Sequence, residues 1–272
     1  MSFYTDTATF NAAGAQSALS YHRAGGTAKA LPAWIVHPTS GSDAPPLVAI
    51  HGISRGAQEQ AEAFARMALK TGRTVIAPLF SHEDWRGYQR ITNRYRGDRA
   101  LLALLRRLEQ TGIVATDRFD LFGYSGGAQF AHRFAMLYPQ RITRLHLAAA
   151  GWYCLPDRSA PYPYALGTTG HDEASWGCRM AGNRDAFLGL PLALYIGAED
   201  TDRDPALRST VALDAQQGFT RLDRIRTYKS AFEKQAWDRG ISPRTSLTVL
   251  HGCGHSFADC IRIGGLDQHV FS

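Results

Sequence analysis

No apolar run in this 272-residue sequence is long enough to cross a bilayer, so no membrane-spanning helix is expected. The first ten residues lack a basic stretch followed by an apolar one, which argues against a secretory leader. The four cysteines (Cys154, Cys178, Cys253 and Cys260) lack the close paired spacing of a zinc site. Without an export signal, reduced thiols and a cytoplasmic address are expected, with a Cys154–Cys178 bridge as the lesser alternative. There is no internal repeat, no long low-complexity tract and no Lys/Arg run of the kind that forms a nucleic-acid arm. The formal charge of +6 is spread along the chain. Its densest stretch is Arg86, Arg90, Arg94, Arg96 and Arg99, read as a solvated face or as a means of meeting an acidic substrate.

What is present is a soluble-protein composition, 44% hydrophobic and 20% charged, with enough apolar material to cover both faces of a sheet. Short β-type runs alternate with helical patterns, the signature of a mostly parallel sheet flanked by helices. Strands are predicted at Ala33–His37, Leu47–His51, Thr74–Phe80, Arg118–Gly123, Leu145–Ala150, Leu192–Gly197 and Ser246–Leu250. Helices are predicted at Glu59–Lys70 and Arg99–Gln110, from about Gly126 to Tyr138, and within Pro205–Arg239. In Arg99–Gln110, Leu101, Leu104, Leu105 and Leu108 fall on one core-facing stripe. Trp152–Asn183 is rich in Pro, Gly, Tyr and Trp and weakly periodic. A stretch of that length inside a compact domain predicts a lid or insertion at 152–183 within a single domain spanning 1–272.

The central motif is Gly123-Tyr124-Ser125-Gly126-Gly127, a G-x-S-x-G pattern. A strand that turns at once into a helix strains the backbone at the serine and demands small residues around it. Alone the pattern is common. Here it follows a predicted strand and opens a predicted helix, where Ala128, Ala131, Phe134 and Ala135 share a face. Ser125 is therefore the candidate nucleophile, and the Gly126 N–H a candidate oxyanion donor.

A serine hydroxyl needs a neighbouring base. His255, in the Gly-broken loop after the last strand, is the candidate. A metal pair of His251 and His255 is disfavoured, because i,i+4 ligands face together only on a helix and Gly252 and Gly254 oppose one. The histidine in turn needs a carboxylate. Asp200 follows the strand Leu192–Gly197 and is preferred over Asp202, with Glu199 and Asp204 crowding the same loop. The order Ser125, Asp200, His255 places each group after a strand, at the carboxyl edge of a parallel sheet. His51-Gly52-Ile53 follows another strand, and the Ile53 N–H is the second candidate oxyanion donor. His51 itself is read as structural.

Taken together, His51-Gly52, the Gly123–Gly127 elbow, the Gly-x-x-Asp ending at Asp200 and the Gly-His at 254–255 resemble the α/β-hydrolase family over about Leu47–Phe257. The likeness is nearest to carboxylesterases and polyhydroxyalkanoate-depolymerase-like hydrolases. It implies an eight-stranded, mostly parallel sheet, or one with fewer strands. It also implies ester hydrolysis through a Ser125 acyl-enzyme, without a cofactor or metal. The expected partner is a small or oligomeric ester, with a homo-oligomer an open alternative. Acyl transfer, peptide cleavage, a lyase reaction, or ligand binding without catalysis remain alternatives on the same scaffold. Phe80, Trp152, Tyr153 and Trp176 are the candidate substrate-binding side chains, with burial in the core the competing reading. The segment up to about Ala30 matches nothing placed.

Overall fold

The computed structural model describes residues 5–12, 15–23, 30–38, 40–113, 118–168 and 172–272, with side chains from Leu19 onward except at 172–175. One nine-stranded sheet organises them. Strands β1 (Thr5–Ala12), β2 (Ala15–His22) and β3 (Ala33–His37) form an antiparallel flank at one edge. β3 runs antiparallel to β5 (Val75–Pro78), and from there the strands are parallel. The parallel part continues through β4 (Leu47–Ile50), β6 (Phe119–Tyr124), β7 (Ile142–Ala148), β8 (Leu192–Gly197) and β9 (Thr245–Leu250).

Every residue of β4, β5, β6 and β8 is buried. Both faces of the middle of the sheet are therefore covered, which is why these strands are continuous apolar runs rather than alternating ones. β9, at the edge, is only partly buried and carries Thr and Ser.

Helix α1 (Ala57–Thr71) packs on β3 and β5. In α2 (Gly97–Gln110), Leu101, Leu104, Leu105 and Leu108 all turn inward, as their spacing predicted. α3 (Gly126–Leu137) lies on β6 and β7 and is buried all round from Gly126 to Met136. Apolar residues cover most of it, and its buried His132 and Arg133 donate to Ala128 O and Gln129 O one turn back. α4 (Asp172–Gly182), α5 (Arg184–Leu188) and α6 (Val211–Gln217) precede the longest helix, α7 (Arg221–Trp237). Thr220 and Asp223 close a capping box at its start. Two short helices, α8 (Phe257–Arg262) and α9 (Leu266–Val270), end the chain. Among the described residues no helix is long and apolar enough to cross a membrane.

Two differences from the sequence reading have local causes. The sheet has nine strands against the eight that the resemblance implies, because β1 and β2 add a hairpin edge, where no pattern was read, to the seven strands read from the sequence. β7 begins at Ile142, after a single 3₁₀ turn at Pro139–Arg141, and stops at Ala148 instead of Ala150. Ala149 takes φ of +51°, which ends any extended strand there. Described residues within 152–183 are tied to one another and to the rest of the chain by hydrogen bonds. Leu155 N–H donates to Tyr164 O, Tyr162 Oη–H donates to Ile91 O, and Arg133 reaches Pro163 O.

Candidate active site

β6 ends at Tyr124 and α3 starts at Gly126, so the whole reversal falls on Ser125. Its φ of +53° and ψ of −114° lie outside the regions open to ordinary residues. Ser125 N–H, donating to Ala148 O at 2.8 Å, helps hold that conformation. The flanking glycines are sterically compelled. A methyl group on Gly123 would collide with the Gly127 carbonyl, and one on Gly127 with the Ile50 carbonyl. The tight turn thus exists because two backbones approach where no side chain fits.

Ser125 and His255 are 130 positions apart, yet Ser125 Oγ lies 3.1 Å from His255 Nε2. On the other side of the ring, Nδ1 is 2.8 Å from Asp200 Oδ2. A carboxylate oxygen can only accept, so Nδ1 carries the proton and Nε2 is left to take one from the serine. Asp200 is fully buried and His255 is about one-quarter exposed. Tyr124 stacks on the His255 ring at 5.5 Å between centroids and limits its swing. Of the crowded acidic loop, the fold brings only Asp200 to the histidine. Asp202 is exposed, and Asp204 Oδ1 accepts from the Ala206 and Leu207 N–H groups of its own turn.

The two expected oxyanion donors also converge. An added methyl at Gly126 would meet Ile53 Cγ2 at 2.8 Å and Ile53 N at 3.4 Å. Neither the Gly126 nor the Ile53 N–H is bonded to an acceptor among the described residues. His51 explains the posture of this loop. Its Nδ1–H donates to Gly52 O at 2.8 Å, and its Nε2 accepts from Phe80 N–H at 3.0 Å. The Gly52 carbonyl and the Ile53 N–H belong to one planar peptide, so pinning the first fixes the direction of the second. Tyr88 Oη–H donates to His51 O at 2.6 Å from the far side.

Burial pushes His51 down to about 4, against a weaker opposing contribution from its bond to Gly52. A folded-state value below the unfolded one means that the unfolded chain takes the proton first, so stability falls as pH drops from about 6.5 and levels off below about 4. This group alone is expected to cost about 3 kcal/mol of folding free energy across that window. Urea unfolding at a series of pH values measures it. His51→Gln, which cannot titrate, should show a flatter slope than the wild type, and parallel slopes would refute the assignment.

The four expected substrate-binding aromatics are not brought to this site. Phe80 is fully buried against Tyr88, Trp85 and Phe130. Tyr153 stacks on Tyr228 at 4.2 Å, and Trp152 lies under the Arg133 guanidinium at 4.4 Å. Trp176 is buried beneath Arg96 and Arg179. None of the four lines the cavity of about 290 Å³ beside Ser125, whose wall is built from the loop after β4, the first turn of α1 and the start of α8. Large aromatics satisfy the core at least as well as a pocket, and spacing could not tell the two apart.

Arg221 was not singled out from the sequence. It is 1% exposed, and its Nη1 donates to Asp200 Oδ1 at 3.4 Å and Asp204 Oδ2 at 2.6 Å. It occupies the oxygen of Asp200 that His255 leaves free, and so fixes the carboxylate from behind. A lone arginine opening a helix carries no sequence signal for such a role. The arginines Arg86 to Arg99 likewise stay away from the cavity, and Arg96 pairs with Asp98 at 2.7 Å.

All four cysteines are free thiols, so the Cys154–Cys178 alternative is not realised. Among the described residues no group of three His, Cys, Asp or Glu side chains is placed to hold a metal ion. Gly252 takes φ of +71°, which keeps His251 and His255 off a common helix.

No protein-family model and no curated protein matches this chain. Solved structures do. Poly(aspartic acid) hydrolase-1 from Sphingomonas sp. KT-1 is 24% identical with a TM-score of 0.74, over 89% of this chain and 94% of that one. LpqC, a poly(3-hydroxybutyrate) depolymerase from Bordetella parapertussis, is 24% identical with a TM-score of 0.71, over 85% and 81%. An S-formylglutathione hydrolase from Agrobacterium tumefaciens is 16% identical with a TM-score of 0.63, over 97% and 96%. The fold of this chain is the α/β-hydrolase fold.

Proposed function

We propose that this α/β-hydrolase chain is a serine hydrolase that cleaves a carboxylic ester through an acyl-enzyme on Ser125. The observation that carries the reading is the unbroken hydrogen-bonded chain from Ser125 Oγ through His255 to buried Asp200, opening onto a cavity. In the first half-reaction His255 Nε2 takes the serine proton as Oγ attacks the ester carbonyl. The carbonyl oxygen gains negative charge, which the Ile53 and Gly126 N–H groups stabilise without reorganising. His255 then protonates the leaving alcohol. In the second half it activates water to release the acid and regenerate Ser125. Asp200 keeps Nδ1 protonated and stabilises the imidazolium between these steps. No step calls for a cofactor.

The structural neighbours named above act on a polyamide, a polyester and a thioester. All three substrates share an acyl carbon open to a serine, and an ester, small or oligomeric, is the substrate class this site suits. The whole chain is read as one catalytic domain, with 152–183 as an insertion that braces it.

A fluorophosphonate tests the reading, because it reacts only with a serine that is both activated and reachable. Intact mass should show a single adduct, and peptide mapping should place it on Ser125. A folded protein that takes up no label, or takes it elsewhere, would sink the proposal.

A further inference from the structure

The cavity beside Ser125 has a charge character that the overall basic composition conceals. Among the described residues of its wall, the one Asp, Glu, Lys or Arg is Glu59, in the first turn of α1. Glu59 is exposed and has no hydrogen-bond or ion-pair partner among the described residues. It is nevertheless placed, folding back over Gly56 so that an added methyl there would lie 2.6 Å from Glu59 Oε2. Gly56 closes the loop that carries the Ile53 N–H, so the carboxylate borders the reacting centre. The helix N-terminus favours an acid at this position.

Its neighbour Gln60 lines the same cavity and is 2% exposed. Gln60 Nε2–H donates to Ile50 O at 3.3 Å, which fixes the amide orientation and leaves Oε1 buried without a donor. A buried acceptor left unpaired destabilises the site until something donates to it. The nearby cations do not offset this pair. Arg55 turns aside, its Nη2 donating to Trp85 O at 3.1 Å and its guanidinium 4.3 Å from the Tyr88 ring centre. With Arg86 it lines a separate cavity of about 320 Å³. Arg221 is shut behind Asp200.

We propose that Glu59 and Gln60 form a subsite for a cationic, N–H-bearing group of the substrate, so that the enzyme favours amine-containing esters over neutral or anionic ones. This rests on the hydrolase reading and narrows its substrate. Glu59 supplies the charge, and the unpaired Gln60 carbonyl adds a dipole of the same sign beneath the same wall. Because Glu59 is exposed, the gain is that of a solvent-screened ion pair, about three- to fivefold in kcat/KM.

Three acetyl thioesters of matched size test it, with thiol release followed by a thiol-reactive dye: protonated dimethylaminoethyl, neutral neohexyl and anionic mercaptopropionate. The wild type should prefer the dimethylaminoethyl ester over the neohexyl one by about three- to fivefold, less in high salt. That ratio should approach one in Glu59→Gln. In Glu59→Lys it should fall below one, while the anionic ester gains. Circular dichroism checks that each variant is folded. Ratios near one in all three proteins, or a wild-type preference for the anionic ester, overturn the subsite while leaving the hydrolase reading intact. A wild type that neither turns over the neohexyl ester nor takes fluorophosphonate on Ser125 overturns the hydrolase reading, and the subsite falls with it.

Discussion

Replacing Ser125 with alanine is expected to lower kcat for ester hydrolysis by about four to six orders of magnitude while leaving the fold intact. Alanine removes only the hydroxyl. The nucleophile, and the hydrogen bond that aligns it with His255 at 3.1 Å, both disappear. The remaining rate should come from the Ile53 and Gly126 N–H groups acting on water attack, which need no serine. Stability should shift by no more than about 0.5 kcal/mol. The unusual φ of +53° is imposed by the surrounding backbone, and alanine bears the same Cβ as serine, so the substitution neither relieves nor adds strain. Steady-state turnover of a chromogenic ester, with a parallel thermal melt, reads both quantities. Activity within tenfold of the wild type in a folded variant would mean that another group is the nucleophile.

The second large effect concerns the acid. Asp200→Asn should reduce kcat by about 10⁴-fold, whereas Asp202→Asn should change it by less than about twofold. An asparagine amide that donates to His255 Nδ1 reverses the tautomer. Nε2 then carries the proton and has no lone pair to offer Ser125. Arg221 sharpens the contrast, because its Nη1 lies 3.4 Å from Asp200 Oδ1 and would lose a buried anionic partner. Part of that loss is absorbed by Asp204, which stays 2.6 Å from the same nitrogen. Asp202 is exposed and makes no such contact. Comparable losses in the two variants would show that the acidic loop acts as a diffuse field and not through one oriented carboxylate.

The arginine-rich stretch shows how composition can mislead about a substrate. Five arginines between 86 and 99 were open to two readings, a solvated face or an acidic substrate, and the net charge of +6 could not choose between them. Folding places them by their stems and partners instead. Arg96 caps Trp176 and pairs with Asp98, Arg94 lies over Tyr95, and Arg86 faces a different cavity. The acid at Glu59 drew no notice, because a glutamate in the first turn of a helix is what helix stability alone would select.

By itself, the sequence determined those features that local physics must write into local residues. β8 was legible to the residue at Leu192–Gly197, because a strand covered on both faces has to be a short apolar run, and β3 at Ala33–His37 because its aromatic and β-branched residues are bounded by turn signals. The stripe of α2 was legible because one helix face meets the core at a fixed period. The turn at Ser125 was legible because only glycine fits where Gly127 meets the Ile50 carbonyl. The candidate serine, histidine and acid could be named because each follows a strand in the Ser, Asp, His order.

The tertiary structure alone decided everything that depends on which distant surfaces meet. It separated Asp200 from Asp202 by burying one and exposing the other. It put Arg221 behind the acid, and it made His51 the brace of the Ile53 peptide through Phe80 and Gly52. It added the β1–β2 edge, whose pairing comes from neighbouring strands and not from any run of its own. It sent Phe80, Trp152, Tyr153 and Trp176 into the core and left Glu59 and Gln60 on the cavity wall. A side chain's type fixes what it can bond to. Whether it faces a cavity, a carboxylate or another ring is set by contacts between residues far apart in the chain, and no local pattern records them.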